Sequence, residues 1–214
     1  MAWTKDQMCQ IIAQLELKEG LFVNLGIGIP TKVANYVPEN VHVTFQGENG
    51  MLGIGPSPYE GEEDPNLINA GKQTISALPE SSYFDSVKSF GMINGAHIDL
   101  TILGALQVSQ NGDLANWAVP GKMITGMGGA MDLVAHIKHV VIIMDHVAKD
   151  GVAKLVSKCN FPLTGVSVVD RVITDLGIFD INETGMFLIK KPDDVTLDEI
   201  ISKTEAKFTT KLSA

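Results

Sequence analysis

Short apolar runs that end at glycine corners govern what this chain can fold into. Leu21-Phe22-Val23-Asn24-Leu25 runs into Gly26-Ile27-Gly28-Ile29-Pro30. Val41-His42-Val43-Thr44-Phe45 alternates as a strand before Gln46-Gly47-Glu48-Asn49-Gly50. Ile98 through Leu103 and Val140 through Met144 are further strand-length runs, and Gly126-Met127-Gly128-Gly129 is a third glycine cluster. Helical stretches separate them. In the first, Thr4 and Gln7 form a capping-box pair, Met8, Ile11, Ile12 and Leu15 recur at helical spacing, and Gly20 is the expected stop. A short helix is expected through Tyr36, and Thr196 with Glu199 opens a last one through about Lys203. This alternation predicts an α/β fold: an open, mostly parallel sheet covered by helices on both faces.

No repeat, low-complexity linker or shift in composition divides the pattern, so residues 1–214 read as a single domain. At 45% hydrophobic and 19% charged, the chain has the apolar content that a disordered chain lacks. The acidic stretch from Tyr59 to Pro65 is expected to be a solvated loop. A formal net charge of −9 leaves no positive surplus to displace counterions from phosphates, which excludes nucleic acid as a partner class. The same charge makes the chain, alone, a poor receptor for anions. No apolar run approaches the ~18 residues of a membrane span. The N-terminus MAWTKDQMCQ carries an acid and lacks an apolar leader core. Cys9 and Cys159 lie far apart and read as reduced thiols, so the expected location is cytoplasmic. His42, His97, His136, His139 and His146 are scattered without ligand spacing, so no metal is expected.

Open parallel sheets place ligands at the carboxyl ends of their strands. Two of the glycine clusters directly follow predicted strands, and glycine there lets backbone N–H groups approach a ligand closely. Neither fits a nucleotide-binding fingerprint, because Gly26-Ile27-Gly28 lacks the third glycine. Glu48 is the chemically distinctive residue of these corners. It lies between Gly47 and Asn49-Gly50 at a strand exit, free of neighbouring bulk. With an ordinary carboxyl pKa of about 4.3 it is ionised at neutral pH and needs no base to act as a nucleophile. On spacing alone a turn glutamate is usually just solvated, and both readings stand at this point.

A larger set of motifs distinguishes them. Asn24-Leu25-Gly26-Ile27-Gly28-Ile29-Pro30-Thr31 precedes Gly47-Glu48-Asn49-Gly50. Leu67-Ile68-Asn69-Ala70-Gly71-Lys72-Gln73-Thr74, Gly112-Asp113-Leu114-Ala115-Asn116-Trp117, Pro120-Gly121-Lys122-Met123 and Gly126 through Val134 follow. In this order, over about residues 5 to 208, the chain resembles the B (β) subunit of the class I CoA-transferases. It is nearest the succinyl-CoA:3-oxoacid (acetoacetate) branch, with butyrate/acetate–acetoacetate transferases next. The resemblance implies that Glu48 is a covalent nucleophile. CoA would then move between a short-chain acyl-CoA (succinyl-CoA, or acetyl- or butyryl-CoA) and a 3-oxoacid such as acetoacetate, through a glutamyl-CoA thioester. It implies backbone oxyanion donors at Gly129, Ala130 and Gly28. Gly47 in place of the common Ser is expected to loosen the corner, and the glycine corners are expected to lead from strands into helices. Substrate or CoA contacts are implied at Asn24, Gly26, Lys72, Asn49 and Gly128. Coenzyme A is the implied co-substrate, with no tightly bound cofactor. An A (α) subunit of related fold is the implied partner in a hetero-oligomer.

Two departures accompany the resemblance. Gly47 stands where relatives commonly have Ser, and Asn94 and Ala96 stand where Arg and Gly are common. Asp132 is expected to cap the amides of the glycine loop, and Trp117 to be a core or interface aromatic. An acyl-CoA hydrolase on the same scaffold, or a non-catalytic ligand-sensing module, remain the alternatives, because a fold does not by itself fix a function.

Overall fold

The computed structural model describes residues 1–121, 124, 126 and 128–212 of the chain. The first helix, α1 (Lys5–Glu16), begins at the capping box: Thr4 Oγ1 accepts from the Gln7 amide at 3.2 Å, and Gln7 Oε1 accepts from the Thr4 amide at 2.8 Å. It ends at Glu16, ahead of the expected stop at Gly20. Leu17 turns extended there, because that conformation buries its side chain in the core. Gly20, with φ 79°, then turns the chain toward β1 (Phe22–Leu25). A 3-10 helix, η1 (Ile29–Tyr36), follows, with Pro30 in its first turn.

The remaining elements are, in order, β2 (Thr44–Gly47), β3 (Met51–Ile54), β4 (Ala77–Tyr83), α2 (Ser86–Asn94), β5 (Leu100–Leu103), β6 (Gln107–Ser109), β7 (Leu114–Ala115) and α3 (Ala130–His136). Then come β8 (His139–Ile143), β9 (Leu155–Val156), β10 (Arg171–Ile173), β11 (Ile178–Asn182), β12 (Gly185–Lys190), α4 (Leu197–Ser202) and β13 (Phe208–Thr210). The strand expected at Val41–Phe45 begins later, at Thr44, because Val41 is still held in a turn by the Pro38 carbonyl. The YEGEEDP segment is exposed, as its charge requires.

The main sheet has the strand order β13-β12-β11-β10-β8-β5-β1-β2-β3-β4. Every pairing from β10 through β2 is parallel, and antiparallel strands extend the sheet on both sides of that block. A small second sheet, β7-β6-β9, lies beside it. Parallel strands buried on both sides need apolar side chains on both faces. Val141 and Ile143 accordingly share a core with Met8, Cys9 and Ile12 of α1, while Val140 and Ile142 share one with Ile93, Leu133 and Ile200 from α2, α3 and α4. At about 1.5–3 kcal/mol for each large aliphatic side chain fully buried, these two layers dominate the stability.

One ionic cluster locks α1 to the sheet. The buried Glu16 carboxylate receives Arg171 Nη1 at 2.5 Å and His139 Nε2 at 3.0 Å. Arg171 also forks onto Asp180, and His139 Nδ1 lies 3.4 Å from Asp170. Burial pushes the Glu16 carboxyl up, but the His139 hydrogen bond and the Arg171 charge outweigh it and hold the group below its ordinary value of 4.5. Hydrogen bonds to Asp170 and then to Glu16 raise His139 from 6.5 to about 9.

The sign of the pH dependence follows. The raised His139 contributes fully below about pH 6.5 and is lost as pH climbs through 9; the lowered Glu16 contributes above pH 4.5 and is lost in acid. Denaturant unfolding is therefore expected to show a decline in stability between pH 6.5 and 9 that flattens in His139→Gln. An alkaline limb unchanged by that substitution would show that His139 does not supply it.

Candidate active site

The carboxyl ends of β1 and β5, the β2–β3 turn and the start of α3 enclose a cleft of about 460 Å³. Its lining brings together Asn24, Gly26, Glu48, Asn116, Trp117, Gly128, Gly129 and Ala130, with Leu103–Leu106 as an apolar wall. The parallel register explains the gathering: β1 pairs with β2 on one side and β5 on the other, so all three chain exits fall at one edge. A larger groove of about 860 Å³ lies at the β11–β12 turn and Lys207–Thr209. None of the three glycine corners reaches it, so the chemistry is argued at the smaller cleft.

Glu48 stands on a tight turn that closes when the Gly50 amide donates to the Gly47 carbonyl at 3.0 Å. The second glycine corner is thus a β-hairpin rather than the strand-to-helix turn expected from sequence. Gly50 has φ 122°, and its carbonyl accepts from the Phe84 amide at 3.0 Å. A Cβ at Gly50 would collide with the Phe84 carbonyl oxygen. Across the cleft, a Cβ on Gly129 would lie 3.0 Å from Phe90 Cζ and 3.7 Å from Glu48 Cγ. Glycine at 129 therefore lets the backbone that opens α3 lie directly against the Glu48 side chain. Among the described residues no side chain caps α3, which leaves the amides of its first turn as free donors at the cleft. Asp132 lies in that turn but does not cap it, contrary to expectation. The cap position belongs to Gly129, and Asp132, three residues on, is already inside the helix.

Beneath the cleft runs a buried polar row. Asn24 Nδ2 donates to the Gln46 carbonyl at 3.2 Å and to Gln46 Oε1 at 2.7 Å, and Gln46 Nε2 donates to Ser89 Oγ at 2.9 Å. The backbone carbonyl fixes these amide orientations, because a carbonyl oxygen accepts only from a donor and each next atom in the row follows. Among the described residues, no side chain or backbone group bonds to the buried Asn24 Oδ1 or to Thr101 Oγ1, the neighbouring position across the β1–β5 pairing.

Several sequence expectations fall differently. Gly28, Asn49 and Lys72 do not line the cleft. Gly28 is exposed at the start of η1, where its carbonyl accepts from Thr31 Oγ1 at 2.8 Å. Lys72 is exposed at φ 60° in a turn closed by the Asn69 carbonyl, and the Asn49 amide points to the Ile68 carbonyl. Trp117, expected as a core or interface aromatic, is only half-buried and lines the cleft wall, its Nε1 donating to the Leu163 carbonyl at 3.3 Å. Gln46, Ser89 and Asn116 escaped the sequence reading as site residues. Their signal is a polar residue inside a strand or helix otherwise committed to the core, as Gln46 is at 2% exposure. Lys122, Met123 and Met127, which belong to the quoted motifs, lie outside the described residues.

The turn geometry sets a stability test. Gly50→Ala adds a Cβ both at a left-handed φ and against the Phe84 carbonyl, so a loss of about 2 kcal/mol or more is expected in denaturant unfolding. A loss under about 0.5 kcal/mol would contradict the hairpin described here.

Comparison with known proteins agrees with this architecture. The family model described as Coenzyme A transferase matches residues 7–203. The chain is similar to the B subunit of the probable succinyl-CoA:3-ketoacid coenzyme A transferase of Bacillus subtilis (strain 168), 58% identical over 193 residues, covering 90% of this chain and 89% of that protein. It is similar to the beta subunit of the acetate CoA-transferase of Escherichia coli (strain K12), 48% identical over 204 residues, covering 95% of this chain and 93% of that one. Among solved structures, the acyl-CoA transferase apoenzyme of Escherichia coli O157:H7 superposes with a TM-score of 0.74 at 19% identity. That match covers 100% of this chain but spans only 44% of the larger protein, and shows the shared fold. A family match over almost the whole chain, together with relatives that match 90% and 95% of it, makes this chain a member of the coenzyme A transferase family.

Proposed function

We propose that this chain is the catalytic B subunit of a transferase that moves CoA between a short-chain acyl-CoA and a 3-oxoacid such as acetoacetate, with Glu48 as the covalent nucleophile. The observation that carries the reading is the placement of Glu48 against Gly129 in the cleft where three chain exits meet. Succinyl-CoA is the favoured donor, supported by the 58% identical relative, and acetyl-CoA is the second choice, supported by the 48% identical one.

The chemistry is a double displacement. A Glu48 oxygen attacks the thioester carbonyl, the C–S bond breaks, and CoA leaves as thiolate, with the acyl group held on Glu48 as a mixed anhydride. The thiolate then attacks the glutamyl carbonyl and expels the first carboxylate, leaving a glutamyl-CoA thioester. The incoming acid reverses both steps and departs as the new acyl-CoA. Each attack builds an oxyanion. Backbone amides at Gly129 and Ala130 are the donors we assign to it, each worth about 3–4 kcal/mol if preorganised. The apolar wall from Leu103 to Leu106 and the Trp117 face limit the access of water that would hydrolyse the anhydride.

A chain of net charge −9 does not hold a polyanionic CoA unaided. The relatives are named as the B and the beta halves of their enzymes, which supports an A (α) subunit as the partner. We assign to that partner the more basic half of the shared cleft in a hetero-oligomer. Cys9 and Cys159 are unpaired, and burial pushes both thiols up to about 11, which suits inert thiols in the reducing cytoplasm we propose as the location.

Steady-state exchange between succinyl-CoA and acetoacetate, with this chain co-expressed beside its partner, tests the reading. Glu48→Ala is expected to lose about 1,000-fold or more in kcat, and Glu48→Asp about 100-fold, because the carboxylate is drawn back by one methylene. Exchange by Glu48→Ala within about tenfold of the unsubstituted enzyme would remove Glu48 as nucleophile. Release of free CoA that acetoacetate does not suppress would convert the reading to an acyl-CoA hydrolase.

A further inference from the structure

Among the described residues, no side-chain hydrogen bond or ion pair reaches the Glu48 carboxylate, although its hairpin neighbours are tied on both sides. The direction of attack is therefore set by how the turn itself is held. On one flank the attachment is backbone to backbone, between Gly50 and Phe84. On the same flank a side chain adds a second tie, Asn49 Nδ2 donating to the Ile68 carbonyl at 3.1 Å, while Gln46 and Gly47 are held by pairing with Leu52 and Met51.

Ile68 is a firm anchor. It bridges to Thr74 across a small antiparallel pairing, and the loop is braced again where the Asn69 amide meets the Gln73 carbonyl at 2.9 Å and the Ile75 amide meets the Leu67 carbonyl at 3.0 Å. Gly47 adds the second observation. It is absent from the residues with positive φ, so the backbone does not demand glycine there. What it provides is space: a Cβ at position 47 would lie 2.6 Å from Asn49 Oδ1 and 3.1 Å from Ile54 Cδ1. A side chain at 47 therefore requires the Asn49 carboxamide to shift.

We propose that Asn49 is the positioning residue of the Glu48 turn, and that a side chain added at position 47 of this chain would compete with the Asn49 amide for room. Asn49 acts through the turn rather than on the substrate, since it does not line the cleft. The proposal rests on the reading of Glu48 as nucleophile.

A coupling experiment tests it on the enzyme co-expressed with its partner. Acetoacetyl-CoA is mixed in a single turnover, and formation of the CoA adduct on the Glu48 peptide is timed by mass spectrometry. Asn49→Ala and Asn49→Asp, the second keeping the shape but not the donor, are each expected to slow that step about five- to tenfold, with the KM for acetoacetyl-CoA within about twofold. Gly47→Ala is expected to do the same. The double variant Gly47→Ala/Asn49→Ala is expected to be no slower than either single one, because both remove the same contact. A double variant slowed by the product of the single effects would overturn the proposal. So would adduct formation at the unsubstituted rate in both Asn49 variants. Absence of adduct on Glu48 in the unsubstituted enzyme would remove the nucleophile, and this proposal with it. Adduct on Glu48 with unchanged kinetics in the variants overturns this proposal alone.

Discussion

The parallel pairing of β1 with both β2 and β5 is the constraint on which the rest of the structure depends. Parallel neighbours all end at the same edge, so three loops separated in sequence are forced into one place. The pairing survives because both faces of these strands are buried, Val23 and Ile102 against α1 and η1, Leu103 against the layer of α2, α3 and α4. Polar residues enter that sandwich as the row Asn24, Gln46 and Ser89, each 2% exposed or less. Such a row is tolerated only because its members satisfy one another, and the acceptor left over belongs to Asn24, which lines the cleft.

The electrostatics of the chain divide by location. Among the described residues, the strongest charge cluster is Glu16, His139, Arg171, Asp170 and Asp180, which serves α1 and the sheet. Among the described residues, the cleft sets beside Glu48 only groups without formal charge: backbone amides at the start of α3 and the carboxamides of Asn24 and Asn116. Asn116 is itself held, its Oδ1 accepting from Thr164 Oγ1 at 2.7 Å. Fixed dipoles suit a site whose reacting group is an anion and whose transition states are anions as well. A cation beside Glu48 would stabilise its ground state and blunt it as a nucleophile, whereas oriented amides at the developing oxyanion favour the transition state. This division agrees with an acidic half that provides the nucleophile and a partner that provides the positive charge.

Much of this was legible in the sequence, and the failures share a cause. The capping box at Thr4, the helix after Thr196 and the apolar strands at Phe22–Leu25 and Val140–Ile143 are local signals, and the structure contains them. The end of α1, the later start of β2 and the hairpin at Glu48 depend on partners outside the local pattern. Leu17 is taken by the core, and Gly50 is taken by Phe84. Glu48, Gly26 and the Gly128–Ala130 turn were visible through motif order. Gln46 and Ser89 were not, because a polar residue in a strand or helix declares its partner only when the neighbouring element is placed beside it. Gly47 looked like a loosening of the turn; the structure shows its space filled by the next side chain but one.

The central claim is that CoA becomes covalently attached to Glu48 and leaves on an incoming 3-oxoacid. Intact-mass analysis of this chain, after mixing the assembled enzyme with succinyl-CoA and no acceptor, tests it most directly. The account predicts one CoA joined per chain with loss of one water, borne by the peptide that contains Glu48, and its disappearance into acetoacetyl-CoA when acetoacetate is added. An unchanged mass, or an adduct on any other residue, would contradict it.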